Sequence, residues 1–532
     1  MQPTGFPVVL TADRVLLADY PTLLDGMTAA SQTAGTPAWL MRRFVAPPAP
    51  AEGGRARKAP LGLRLLEAAL LEAGCTGDDV AIVPPAQLRK AIGASTRLVA
   101  ISSGDPLGLG MNDSTMSAIA GGLPYTPLWL AEMCGKLRRL KTRFPQFKIV
   151  LGGPGAWQVE QNPQAREQLG IDAVSCGYGE EEIVALARTA MDRVPLAAVG
   201  LGATGLGSLR PVPSAGVFPH GSGNCSRPVA PPTAASGTQN IPSIRGPTSM
   251  GVVEISRGCG LGCSFCTIRA LPMRHLPIEK ILRDVRTNVE GGVTSICLIS
   301  EDFLRYGADG NQPDTSHVLE LVRAVRQVKG LRLIQLDHVN ISSVARFPAT
   351  ELRALHDLLV AGVRHEYLWV NLGVESASGA LLAGNGGRGK LYPFSADDWE
   401  RVCADAIDKL IAAGFMPMVS LVLGLPGETE EHLRQTLNFV QAQRAKRLTV
   451  FPLFYAPIAP GVKAFVLKDM TPLHWELFRL CYDLNFKWLP KMFWDNQRGA
   501  GVPWLRRALV QCGGWLRMRD WKWRIRRKAR IS

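Results

Sequence analysis

Short apolar runs, each closed by a glycine- or proline-rich turn, alternate along the first 200 residues with stretches that are apolar at every third or fourth position. Residues 63–73 (LRLLEAALLEA) and 128–140 have helical spacing, whereas 80–83, 98–101 (LVAI), 148–151 (KIVL) and 173–175 read as buried strands. The stretch before the first helix, VVLTADRVLLADY, is left without an assigned strand. The last three strands run into SSGDPLGLG, GGPGAW and CGYGEEE. Strands alternating with helices predict a doubly wound parallel sheet, whose ligands sit at the carboxyl ends of the strands.

The alternation resumes further on. Strands are expected at 251–256, 295–299, 331–336, 368–374, 417–423 and 449–454, with helices at 278–290, 318–327, 399–413 and 430–443 between them. Six such units make a partial (β/α)6 barrel with its chemistry at the strand ends. Between the halves, from Leu201 to Met250, 27 of 50 residues are Gly, Pro, Ser or Thr and none is acidic. Such a stretch cannot offset its ordering entropy by burial. The expected organisation is therefore α/β: a Rossmann-like domain over 1–200, a flexible linker over 201–247, a barrel over 248–462, and a small, mainly helical, aromatic and basic region over 463–532.

Composition adds little to this until the charge is located. The formal charge is +15, and ten Lys/Arg against the single acid Asp520 lie beyond Trp504. That end suggests an anionic surface as partner. Trp504, Trp515, Trp521 and Trp523 alternate with the bases there, which favours the water–lipid boundary. Gly513-Gly514 is expected to break any helix here into two. No basic start followed by an apolar run opens the chain, and no uninterrupted apolar stretch is long enough to span a bilayer. A cytoplasmic protein is expected, with this end either a peripheral membrane contact or a cap of tryptophans on the barrel trailed by a solvated basic tail; nucleic acid is not expected as a partner.

Of the 11 cysteines, three form the motif RGCGLGCSFC, spaced C-x3-C-x2-C at Cys259, Cys263 and Cys266. Three thiolates on a short glycine-containing loop can hold three irons of a [4Fe–4S] cubane and leave the fourth open. A structural zinc ion needs four ligands, and no fourth Cys or His lies at suitable spacing.

Over about residues 250–460 the chain resembles the radical S-adenosylmethionine (SAM) superfamily, which carries this spacing with an aromatic residue, here Phe265, before the third cysteine. The resemblance implies that SAM chelates the open iron and yields a 5′-deoxyadenosyl radical after one electron arrives from a donor such as flavodoxin or ferredoxin. It places Glu301 and Asp302 (ISED, where the family commonly has Gly-Gly-Glu) at the SAM amino end. It places Glu375 and Ser376 near the ribose and carboxylate, and Gly424, Gly427 and Glu428 (GLPGET) in a further SAM-binding turn. The alternative for Glu428 is a carboxylate favoured by a helix N-terminus.

The first half resembles the cobalamin-binding domain that precedes radical SAM domains in the cobalamin-dependent subclass. The matching loops carry Ser102, Ser103 and Gly104, then Gly152, Gly153, Pro154 and Gly155, then Gly177, Gly179 and Glu180. No Asp-x-His-x-x-Gly string is present, so histidine is not expected beneath cobalt; His338 is read as a barrel residue. The resemblance implies a methyltransferase acting on an unactivated carbon, using methylcobalamin and the deoxyadenosyl radical, on a small-molecule, lipid or other hydrophobic substrate. No catalytic residue is singled out. The alternatives are a cobalamin-dependent cyclase or oxidase, a methylthiotransferase holding a second cluster on Cys75, Cys134 and Cys176, and a non-enzymatic iron–sulfur redox sensor.

Overall fold

The structure is a computed structural model that describes residues 5–192, 241–268 and 271–531. In the first half five parallel strands, β1 (Val8–Ala12), β2 (Val80–Ile82), β3 (Leu98–Ser102), β4 (Lys148–Gly152) and β5 (Ala173–Val174), pair in the order β2-β1-β3-β4-β5. The unassigned stretch at 8–20 thus opens with the strand that lies between β2 and β3. Alternate residues face opposite sides. Val8 and Leu10 pack with Leu63 of α1 (Leu61–Glu72) and Ile183 of α4 (Gly179–Met191). Val9 and Val99 pack with Leu130 and Leu137 of α3 (Tyr125–Arg143). Burial on both faces is why these strands read as continuous apolar runs. The strand order reverses between β1 and β3, where a doubly wound sheet opens its ligand crevice.

The second half has all six expected strand positions: β6 (Val252–Glu254), β7 (Ser295–Ile299), β8 (Leu333–Leu336) continued after Asp337 by β9 (His338–Val339), β10 (Leu368–Glu375), β11 (Phe415–Leu423) and β12 (Thr449–Phe454). They form two parallel sheets, β8-β7-β6 and β9-β10-β11-β12. Helices α5 (Ile278–Glu290), α6 (Thr315–Arg326), α7 (Ala349–Val360), α8 (Trp399–Ala413) and α9 (Glu430–Gln443) connect them. From the first half, α2 (Met111–Ala120) packs on β12, where the Phe454 N–H donates to Thr115 Oγ1 at 2.7 Å.

Two expectations change. The end of the expected linker, 241–247, is packed: Ile241 and Ile244 are buried, and the Ile244 N–H donates to Asp284 Oδ1 on α5. Arg64 of α1 donates to the Pro247 carbonyl, so this stretch is bound to both halves. Residues 201–240, with His220 and Cys225, lie outside the described residues. At the carboxyl end, α10 (Pro472–Gly499) is followed by one continuous 28-residue helix, α11 (Trp504–Ile531), that runs through Gly513-Gly514. Each glycine costs about 1 kcal/mol, which the docking of Trp521 and Ile525 against the body offsets.

Candidate active site

The three motif cysteines line one cavity of about 350 Å³ at the barrel mouth, together with Phe265, Glu254, Glu301, Asp337, His338, Glu375 and Lys390. Burial pushes the Cys259 thiol up to about 12 and raises those of Cys263 and Cys266. Buried thiols of this kind ionise when a metal takes the thiolate. Among the described residues no three His, Cys, Asp or Glu side chains are gathered as one metal ion would require. Three thiols lining one cavity fit a cluster that leaves one iron open.

A second loop builds this site, and its signal in the sequence is a glycine-rich run ending in lysine. Residues 384–390 read GNGGRGK. Their backbone lies against the cysteine loop: the Ser264 N–H donates to the Asn385 carbonyl at 2.9 Å. A Cβ on Gly386, whose φ is +77°, would stand 2.5 Å from the Gly262 carbonyl, and one on Gly389 2.6 Å from that of Leu261. Only glycine permits this approach. The loop delivers Lys390, whose Nζ donates to Glu375 Oε1 at 2.6 Å. Burial opposes the lysine's charge, but Glu375 and the thiols of Cys263 and Cys259 hold its pKa above the ordinary value. Glu375 itself sits at φ +63° beside a register shift in β10 and accepts from Ser420.

The other expected SAM residues divide. Phe265, Glu301 and Glu375 line the cavity. Burial pushes Glu301 up to about 7, and its Oε2 has no partner. Asp302 instead is fully buried and accepts from Ser343 Oγ at 2.6 Å and the Asn340 N–H at 3.2 Å. Ser376 Oγ is taken up by Thr436 Oγ1 and the Ser378 N–H. Glu428 Oε2 accepts from the Gly424 N–H at 2.9 Å and contacts His474 Nε2 at 3.0 Å, joining the turn after β11 to the first turn of α10. Neither Asp302, Ser376, Gly424, Gly427 nor Glu428 lines the cavity.

The crevice of the first sheet has its own polar set. The Ser103 N–H donates to the Gly152 carbonyl, and the Gly155 N–H to the Ser103 carbonyl. A Cβ on Gly153 would meet the Ser103 carbonyl at 2.8 Å and one on Gly155 the Gly104 carbonyl at 2.5 Å, so these glycines pack loop on loop. Gly104 is open, with no atom within 4 Å of an added Cβ. Gly153 and Pro154 are exposed, whereas Gly177 and Gly179 are half-buried. Three carboxylates not foreseen from the sequence meet here. Asp13 follows β1. Asp105 follows β3 and accepts from Gln158 Nε2 at 2.6 Å. Asp113 lies on α2 near Asp105, and its Oδ1 accepts from Asn112 Nδ2 at 3.0 Å. Burial, then the nearby Asp105, pushes Asp113 up to about 8; burial pushes Asp13 up to about 7. Asp13 Oδ2, Asp113 Oδ2 and Ser103 Oγ are buried without partners. Orphaned polar atoms at the strand-order reversal fit a large ligand with hydrogen-bonding groups round its edge.

Glu180 does not face that crevice. It pairs with Arg257 Nη1, while Arg257 Nε donates to Glu254 Oε1 at 2.7 Å. The Arg257 guanidinium also lies over the Tyr178 ring, 4.6 Å from its centre. Arg257 stands two positions before Cys259, so the last loop of the first sheet is tied to the cluster loop.

Residues 253–440 match the model of the radical SAM superfamily. The ribosomal protein uS12 methylthiotransferases RimO of Anaeromyxobacter sp. (strain K) and Geobacter sulfurreducens are each 28% identical, over 243 and 210 residues. These alignments cover 45% and 38% of this chain and 46% and 42% of the relatives, so the chain spans less than half of the curated relatives it matches. Among solved structures, the radical SAM methyltransferase TsrM from Kitasatospora setae, with tryptophan substrate and a SAM analogue bound, superposes with a TM-score of 0.52 at 17% identity. That match covers 85% of this chain and 75% of TsrM. TsrM with cobalamin and a [4Fe–4S] cluster bound gives 0.51 at 18% identity, over 85% and 74%. At such identity the likeness is one of fold, and it extends over both halves. The cysteine motif at the mouth of the barrel strands and the family match agree: residues 253–440 carry a radical SAM domain, which implies a [4Fe–4S] cluster and SAM as cofactors.

Proposed function

We propose that the enzyme is a cobalamin-dependent radical SAM methyltransferase acting at an unactivated carbon. The observation that carries the proposal is the join between the two cofactor edges. The Glu180–Arg257–Glu254 bridge ties the loop after β5, at the carboxyl edge of the first sheet, to the cysteine cavity, which Glu254 lines. The fold match to TsrM, solved with cobalamin and a cluster, supports the same arrangement. When bound, the cluster and SAM supply a radical that removes hydrogen from carbon, and cobalamin supplies the methyl group.

The chain's own part is holding and shielding. Cys259, Cys263 and Cys266 hold the cluster. Lys390 places a buried positive charge beside them and keeps Glu375 turned toward the cavity. Glu301, with its free carboxyl oxygen, is placed to accept from the SAM ammonium. Asp13, Asp113 and Ser103 would receive the polar edge of cobalamin over the open Gly104. A protein electron donor such as flavodoxin or ferredoxin completes the set.

The curated relatives favour a second reading, methylthio transfer. The sheet argues against it: Cys75 packs with the core on one face, while Cys134 and Cys176 pack with the core on the other, so the three cannot share a cluster. Anaerobic reconstitution with iron, sulfide, cobalamin and SAM, followed by mass spectrometry of products from a host extract, tests the proposal. A product heavier by one CH2 supports it. A product carrying added sulfur, a cyclised or oxidised product without CH2, or a protein that never takes up cobalamin overturns it. A lipid-borne substrate follows from the membrane docking argued below; the barrel mouth, where Glu254, Glu301, Asp337 and Glu375 stand beside Leu261, Phe265, Ile268 and Ile299, does not by itself select one.

A further inference from the structure

Helix α11 carries two apolar faces, and one of them points away from the protein. Leu505, Leu509, Cys512, Leu516 and Trp523 are separated by four, three, four and seven positions, which on a helix is a single line. All five are exposed, from 55% for Trp523 to 68% for Leu516 among the large ones. The opposite side is docked: Trp521 stacks on Tyr482 with ring centres 5.3 Å apart, and Ile525 is only 3% exposed. The outward line is therefore not the helix's packing face.

Six exposed bases flank it: Arg506, Arg519, Lys522, Arg526, Arg527 and Arg530. The one acid of the helix, Asp520, is turned to Arg517 and Arg524. No helix among the described residues is long and apolar enough to cross a membrane.

We infer that this face docks the enzyme flat on an anionic lipid bilayer. Leucine and tryptophan enter the headgroup–acyl boundary while the bases meet anionic headgroups, each worth roughly 1 kcal/mol near the surface. A second copy would set six bases against six. Nucleic acid would satisfy the bases but leave the leucines against phosphate. The bilayer matches both components, and the inference stands whether or not the barrel transfers methyl groups.

The test uses the full chain with its cluster, sedimented with phosphatidylcholine vesicles and with vesicles containing phosphatidylglycerol, at low and high salt. The variant Leu505→Gln/Leu509→Gln/Leu516→Gln/Trp523→Gln alters only outward side chains, and an unchanged circular dichroism spectrum and iron content confirm that it folds. The wild type is expected to pellet with anionic vesicles, less at high salt and less with neutral vesicles, and the variant to bind at least about tenfold more weakly. Wild type that stays in solution, or a variant that pellets equally, overturns the inference. So does a concentration-dependent dimer lost in the variant, which would assign the face to a second copy. Truncation before α11 is not a substitute, because it uncovers Tyr482.

Discussion

At Lys390 a buried ammonium stands beside three thiols that must become thiolates, and it is already bonded to Glu375. Replacing Lys390 by Met leaves that carboxylate buried without its partner, a loss of about 3–5 kcal/mol. The double variant Lys390→Met/Glu375→Gln is expected to recover most of the stability in thermal unfolding, while SAM affinity, read by equilibrium dialysis, stays low. Recovery of both would reduce the pair to a structural role. Asp113 makes a pH prediction. Its folded pKa of about 8 lies above the ordinary 3.8, so the folded chain holds a proton that the unfolded chain releases. Stability is full below about pH 4, falls as pH rises to about 8 by at most about 1.4 kcal/mol per unit, and is level beyond. Asp13, raised to about 7, adds to the same fall. Denaturant unfolding at pH 6 and pH 8 should show wild type weaker at pH 8, and Asp113→Asn should shrink the difference.

At the scale of elements, the loop 384–390 supports the cluster loop through backbone contact. Gly386→Val is expected to lower iron per chain severalfold although Gly386 is no ligand, because its Cβ would enter the Gly262 carbonyl. Gly384→Ala, with nothing within 4 Å, is the control that should load normally. The crevice loops call for the same discrimination. Substitution at Gly153 strains the loop itself, so it cannot report on a ligand. Gly104→Leu leaves the loop packing alone and should weaken cobalamin uptake at least about tenfold by filling the open space, with thermal stability within about 0.5 kcal/mol; retained uptake would place the ligand elsewhere.

Across the whole molecule, Arg257 is shared between a carboxylate of the first half and one of the barrel. Removing it leaves Glu180 and Glu254 buried against each other. Arg257→Met is expected to cost about 3–5 kcal/mol and to split thermal unfolding into two transitions; Glu180→Gln should cost less, since Glu254 keeps its partner. A single unshifted transition in Arg257→Met would show that the other contacts between the halves, such as the Phe454 N–H to Thr115, suffice to couple them. The join matters beyond stability, because it ties the loop after β5 of one half to the cluster loop of the other.

The chain's local order carried the six barrel strands, four of the five strands of the first sheet and the three cysteines. Apolar runs between breakers and ligands on one short loop are properties of neighbouring residues. The strand at Val8–Ala12 escaped because two short apolar runs stand close together with no glycine or proline between them; the turn is made by Asp13, whose Oδ1 accepts from the Val15 and Leu16 N–H groups. Which expected residues reach the cavity was not legible: Asp302 and Glu301 are adjacent, yet one is consumed by Ser343 and the other faces the cysteines. The meeting of Asp13, Asp105 and Asp113, and the approach of 384–390 to the cysteines, are contacts between distant segments that no spacing encodes. The outward face of α11 was hidden for a related reason. Both sides of that helix are apolar, so the pattern has no preferred direction, and only the docking of Trp521 and Ile525 decides which side is left to meet something else.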